Sequence, residues 1–121
     1  MKFLAIVLAA AAMTGCANRS GLYQWGSYDA MLYQSYKNPE KVLELQTGLE
    51  THIANLEKSN LKVAPGLYAE LGTIYMQSGD SARAVGMYTK ERDAWPESKG
   101  LMDALISNIG KTIKTKPAVK S

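Results

Sequence analysis

The chain has 121 residues, 46% of them apolar and 21% charged, which is the balance of one small globular domain and excludes a wholly disordered protein. Fourteen Lys and Arg against eleven Asp and Glu give a formal charge of +3 with no long basic run, so nothing points to nucleic acid. A single Cys and a single His exclude an internal disulfide framework and a zinc site built from the chain's own Cys and His, and no metal or cofactor is expected.

The first residues carry the features of an export signal. Met1-Lys2 supplies a positive start, Phe3 to Ala12 an uncharged apolar stretch, and Thr14-Gly15 small residues ahead of the only cysteine. The apolar stretch is too short to span a bilayer, which takes about 20 residues. Met13-Thr14-Gly15-Cys16 resembles a bacterial lipobox, with Met where Leu is commoner. That resemblance implies cleavage before Cys16, acylation of Cys16, and loss of Lys2, which leaves thirteen basic against eleven acidic residues. Several acyl chains make a stable anchor. Ala17 follows the cysteine, and the absence of Asp there resembles the outer-membrane sorting pattern of Gram-negative cells. The competing reading is an ordinary secretory signal with a cysteine nearby.

Beyond a short tether comes an aromatic opening, with Tyr23, Trp25, Tyr28, Tyr33 and Tyr36. A first short helix is predicted over about Ser27 to Tyr36. Asn38-Pro39 restarts the chain, with Asn38 as N-cap and Pro39 at the first helical position. From there Val42, Leu45, Leu49, Ile53 and Leu56 recur at spacings of three and four, one buried helix face. Glu40, Lys41, Glu44, Glu50, Glu57 and Lys58 occupy the other side and read as solvated. Gly48 interrupts this helix and suits a close helix contact. Pro65 is expected to open a third helix that runs to Gln77-Ser78 and closes at Gly79. Asp80 caps a fourth from Ser81 to about Ala94. Trp95-Pro96 breaks the chain, and a fifth helix follows over Leu101 to Ile109, ended by Gly110. No strand-like alternation is present, so the fold class is all-α.

Residues 65–98 resemble a tetratricopeptide repeat, a helix-turn-helix module of 34 residues, through Tyr68, Leu71-Gly72, Tyr75, Gly79-Asp80, Ala84, Tyr88 and Pro96. Gly72 and Ala84 are small where two helices approach, Tyr75 and Tyr88 fill the space beside them, and Glu91 departs from the Ala of the pattern. Leu32, Tyr36, Leu45 and Leu49 repeat the spacing of Leu71, Tyr75, Ala84 and Tyr88 at an offset of 39 residues, a degenerate first repeat. The fifth helix would cap the stack. The expected organisation is a leader over 1–15, a lipidated tether over 16–22, a tetratricopeptide-like domain over 23–110 and a basic disordered tail over 111–121. The lysines of that tail could instead touch anionic lipid heads or peptidoglycan.

Taken together, the lipobox, the opening Tyr23-Gln24-Trp25-Gly26-Ser27-Tyr28, Leu32-Tyr33 and the repeat-like unit are similar to a family of small Gram-negative outer-membrane lipoproteins known as a domain of unknown function. In that family the gene commonly lies beside genes for other lipoproteins, one of them related to CsgG and to LpoB-type activators of penicillin-binding proteins. The resemblance implies a location in the outer membrane facing the periplasm, and CsgG-like or LpoB-like lipoproteins as partners.

No catalytic group is expected. His52 is the only imidazole and sits within a helix, no serine lies in a nucleophile-elbow setting, and the glycines are scattered. Pairs such as Glu40 with Glu44 and Glu91 with Asp93 read as solubilising. The aromatic cluster admits two roles, filling the small core or anchoring a partner. Trp25, before the first helix and near the tether, is the candidate for contact. Tyr68, Glu70, Tyr75 and Gln77, on the first helix of the repeat, are candidates to line a partner groove. The function these features favour is a non-catalytic adaptor that holds partner lipoproteins. A regulator of peptidoglycan synthesis acting on a penicillin-binding protein and a pilotin-like assembly chaperone stand as alternatives.

Overall fold

A computed structural model of the protein describes residues 22–115, and these form five α-helices with two 3-10 turns and, among the described residues, no strand. In chain order they are α1 (Tyr28–Lys37), a 3-10 turn (Pro39–Lys41), α2 (Val42–Lys58), α3 (Leu67–Gln77), α4 (Ser81–Ala94), a second 3-10 turn (Pro96–Ser98) and α5 (Lys99–Thr115). The all-α class expected from the sequence is the class observed. Among the described residues no helix is long and apolar enough to cross a membrane. The leader, Cys16 and residues 116–121 lie outside the described residues.

Neighbouring helices pack in sequence: α1 on α2, α2 on α3, α3 on α4 and α4 on α5. The predicted face of α2 supplies Leu45, Leu49, Ile53 and Leu56 to the core. Leu67, Leu71 and Ile74 of α3 meet them, and Ala84 and Tyr88 of α4 lie on the same cluster, which Met102 and Ile109 of α5 complete. A close approach joins α3 to α4. There Gly72 lies under the Tyr88 ring, and a Cβ on it would come within 2.8 Å of Cε1. A second close contact joins α1 to α2, where the Met31 thioether fills the place a Cβ on Gly48 would take.

Local chemistry explains most of the boundaries. Asp80 caps α4 by accepting a hydrogen bond from the Arg83 backbone N–H at 3.0 Å. Gly79 takes the left-handed conformation, with φ of +86°, that turns α3 into α4. Asn38 stands before Pro39 in extended conformation, but its side chain makes no capping bond, and a tight 3-10 turn precedes α2.

The third and fifth helices also differ from expectation in their boundaries. The third helix begins at Leu67, because Gly66 sits outside it with φ of +93° and gives its N–H to Glu91 Oε1 at 2.8 Å. The fifth helix starts at Lys99 and runs through Gly110 to Thr115, so the first five residues of the tail set off at 111 are helical. Nothing crowds Gly110. A glycine there costs about 1 kcal/mol relative to Ala and does not by itself end a helix, while Ile109 beside it is buried. Thr112 and Thr115 bond back to the carbonyls of Asn108 and Lys111 at 3.0 and 3.1 Å.

The repeat-like correspondence between the two halves also breaks at one position. Tyr36, aligned by spacing with buried Tyr75, is 80% exposed. Leu45 and Leu49, aligned with Ala84 and Tyr88, are buried as those are.

Candidate interaction surfaces

The segment before α1 forms a strap across the helices. Tyr23 meets the Trp95 ring edge-on, with centroids 5.3 Å apart and planes at 89°. Lys62 Nζ covers Trp95 at 3.7 Å from the ring centroid. The Gln24 carbonyl accepts a hydrogen bond from His52 Nε2 at 2.8 Å. Gly26 packs on the same imidazole so closely that a Cβ would stand 3.0 Å from Nδ1. The only histidine therefore fastens the strap to α2.

The strap and α1 form one wall of an open groove of about 640 Å³, and α2 forms the other. Trp25, Tyr28 and Met31 line the first wall, and Leu43, Thr47 and Thr51 lie along the second. Trp25 stacks at a tilt on Tyr28, with centroids 6.3 Å apart, and remains 38% exposed. Leu43, Thr47, Thr51 and Asn55 follow one another at every fourth position of α2, all exposed and uncharged. The single carboxylate in the lining, Glu44, is paired with Lys41. Of the contact residues read from the sequence, Trp25 alone lies on this surface. His52 and Leu43 also line it, with no local signal in the sequence that marks them as groove residues. The uncharged four-residue recurrence from Leu43 is masked by the stronger core periodicity of the same helix.

Tyr68 and Tyr75 are corrected from groove residues to core residues. Both are buried, because α2 covers them: Tyr68 donates its hydroxyl hydrogen bond to Glu57 at 2.8 Å and Tyr75 to Glu50 at 2.6 Å. Lys90 and Arg83 lie over the two rings at 5.6 and 4.3 Å. Burial, and then the bond to Glu57, pushes the Tyr68 phenol well above its ordinary value. Burial and then the bond to Glu50 also raise the Tyr75 phenol. Glu50 and Glu57 are thus structural acceptors, not part of a purely solvated face.

Glu91 is likewise no surface group. It is 1% exposed, with Oε1 on the Gly66 N–H and within 3.4 Å of Ser98 Oγ, and Oε2 without a hydrogen-bond partner. Its sequence neighbour Asp93 is exposed and pairs with Arg92.

Glu70 remains half-buried on α3 and faces α1. Burial, with the Glu70 carboxylate second, pushes the Tyr28 phenol up to about 12. Gln77, at the far end of α3, is exposed. Tyr33 and Tyr36 are exposed on α1, with Lys37 Nζ 4.7 Å from the Tyr33 ring centroid. At about 100° per residue they lie on the side of α1 opposite Met31 and its groove. The described residues therefore offer two aromatic surfaces: the strap groove on α2, and the far side of α1, which displays Tyr33 and Tyr36, while Glu70 and Gln77 lie on α3.

The class these features define is a small all-α protein of successively packed helices with exposed aromatic surfaces. The chain belongs to the family described as a domain of unknown function, DUF4810, whose model matches residues 22–105. The match begins at the strap and ends within α5, so it covers both surfaces. No curated protein and no solved structure matches the chain.

Proposed function

We propose that the protein is a non-catalytic, lipid-anchored lipoprotein of the outer membrane that faces the periplasm and holds partner lipoproteins of the CsgG-like or LpoB-like kind. In this reading Cys16 carries the acyl chains. Helices α1–α2 and α3–α4 are a degenerate and a clear tetratricopeptide-like pair, and α5 caps the stack. The close approach of Gly72 to Tyr88 supports the second pair. The lipobox-like Met13-Thr14-Gly15-Cys16 supports the anchor.

One observation carries the adaptor role. Helix α1 buries no residue fully and presents Tyr33 and Tyr36 to solvent on one side. Exposed tyrosines on a rigid helix are efficient interface anchors, since few rotamers are lost on binding. The surface is small, and affinity is raised by anchoring both partners in one membrane, which raises their effective concentration.

The test places a photo-crosslinking phenylalanine analogue at position 36 of the full chain in cells. An adduct with a CsgG-like or LpoB-like lipoprotein is expected, and Tyr33→Ala should weaken it more than tenfold if it removes an anchor of about 2 kcal/mol. An adduct with a penicillin-binding protein would transfer the role to regulation of peptidoglycan synthesis. The absence of any adduct, with normal melting of Tyr36→Ala, overturns the adaptor reading.

A further inference from the structure

We infer that the strap groove is a membrane-contact face, with Trp25 and Leu43 seated at the lipid–water boundary of the bilayer that holds the anchor. The inference rests on the lipoprotein reading above and assigns to the lipid surface an exposed apolar region that the adaptor role does not use.

Tether length limits what can cover this face. Six residue steps separate Cys16 from Leu22, so the fold begins at most about 20 Å from the acylated residue whatever the tether's conformation. The first described residues lead directly into the groove wall at Trp25. A folded domain is about 30 Å across, too wide to fit between this face and the bilayer on such a tether. The bilayer itself is the surface within reach.

The chemistry agrees with that occupant. Leu43 is 68% exposed and does not contribute to the core. Tryptophan favours the headgroup level, where its ring is half in apolar surroundings and its N–H is wet. The α2 rim from Thr47 to Asn55 meets the interface with hydroxyls and an amide, and the Glu44 charge is already matched by Lys41. A face lacking free charge suits the boundary region better than a charged protein surface. The other tryptophan, Trp95, lies beneath Tyr23 and Lys62 and is 6% exposed. It serves as an internal reference.

The experiment uses the full processed chain, purified from membranes and reconstituted into phosphatidylethanolamine and phosphatidylglycerol vesicles with or without bromine on the upper acyl carbons. Mass spectrometry first establishes the state of Cys16. Brominated lipid should quench about half of the emission, the share of one interfacial tryptophan in two. In Trp25→Phe the quenching should vanish, while Leu43→Gln, a change at an exposed position, should reduce it with the melting temperature unaltered. Acylated protein whose Trp25 emission is the same in both vesicles overturns the inference. So does Trp25 that is shielded from aqueous iodide yet untouched by brominated lipid, since a protein then covers the groove. An unmodified Cys16 overturns the lipoprotein reading and the membrane contact with it.

Discussion

Gly72 and Tyr88 set the distance between α3 and α4: a methyl group on Gly72 would stand 2.8 and 2.9 Å from two carbons of the Tyr88 ring and 3.2 Å from Met87 Cβ. The ring is stiff and its hydroxyl is bonded to Thr73 Oγ1 at 3.0 Å, so it cannot swing aside freely. Gly72→Ala gains helix propensity of about 1 kcal/mol but overpacks by about 1–3 kcal/mol, and the net effect is a loss of stability. Gly72→Leu should be far worse. Thermal melts followed by circular dichroism should order the native chain above Gly72→Ala and that above Gly72→Leu. Equal midpoints would mean that the two helices separate at no cost.

Gly48 offers a contrast, because its close neighbour is the end of the Met31 side chain and not a ring. A thioether with three rotatable bonds can move. Gly48→Ala is therefore expected to melt within a few degrees of the native chain, as the helix gain of about 1 kcal/mol offsets the displaced methionine. A loss as large as that of Gly72→Ala would show that Met31 is held as rigidly as Tyr88.

Glu91 Oε1 is the acceptor for the Gly66 N–H at the start of α3, and its second oxygen has no bond. Glu91→Ala leaves that N–H unpaired and opens a cavity, for a cost of about 2–4 kcal/mol. Glu91→Gln keeps the acceptor and should differ from the native chain by about 1 kcal/mol or less. Urea unfolding midpoints of the two variants test this, and equal losses would show that the carboxylate charge, not the bond, holds Gly66.

Acid should weaken the α2–α4 pair of Glu57 and Lys90. The bond from Lys90 is the largest influence on the Glu57 carboxyl, burial opposes it, and the bond from Tyr68 adds to it; together they hold the group below its ordinary 4.5. A carboxylate with a depressed folded value stabilises above the unfolded value and loses that stabilisation as the pH falls through the folded one. Glu57 is well exposed, so the contribution is about 1 kcal/mol or less and shrinks with salt. The melting advantage of the native chain over Glu57→Gln should be full at pH 6 and fade below pH 4.5. An advantage that persists at pH 3 would remove the ion pair from the account.

Alkali acts on the tyrosines with the opposite sign. Tyr28 is pushed up to about 12, and Tyr68 and Tyr75 are also raised above the ordinary 10.0, burial being the first cause in each case. Their stabilisation is complete below pH 10 and is lost as the pH climbs through the folded values. Ionisation followed at 295 nm should lag at these phenols, and helical circular dichroism should fall with the late phase. In Tyr68→Phe that phase should shrink. A single phase at the ordinary value, with the helices intact, would show that these phenols are not enclosed.

What the sequence conveyed was chiefly local. Asp80 capping α4, Gly79 turning out of α3 and the apolar period of α2 each involve residues within a turn or two of each other, where spacing and chemistry suffice. The misread residues owe their roles to contacts across helices. Glu50 and Glu57 look solvated on their own helix, and only the tyrosine hydroxyls of α3 make them acceptors. Glu91 looks solubilising until Gly66 is seen to need a partner. Tyr36 matches Tyr75 by spacing, yet no helix lies over it. Of the groove on α2, the exposed Trp25 was legible from its place before the first helix. The groove beneath it was not, because it exists only where strap, α1 and α2 meet.

The two tyrosine–glutamate bonds between α2 and α3 also fix how these helices are aligned lengthwise. Tyr68 and Tyr75 are seven residues apart, as are Glu57 and Glu50, and the pairs run in opposite order, as antiparallel helices require. Seven residues are two helical turns, so both bonds close together at one register. A slide of one turn would leave the apolar contacts with similar neighbours but would part both hydroxyls from their acceptors inside the fold. Leucine packing alone tolerates such sliding; this spacing works as a vernier and selects a single alignment. This small core thereby gains a unique structure from two hydrogen bonds where more apolar bulk would add only stability.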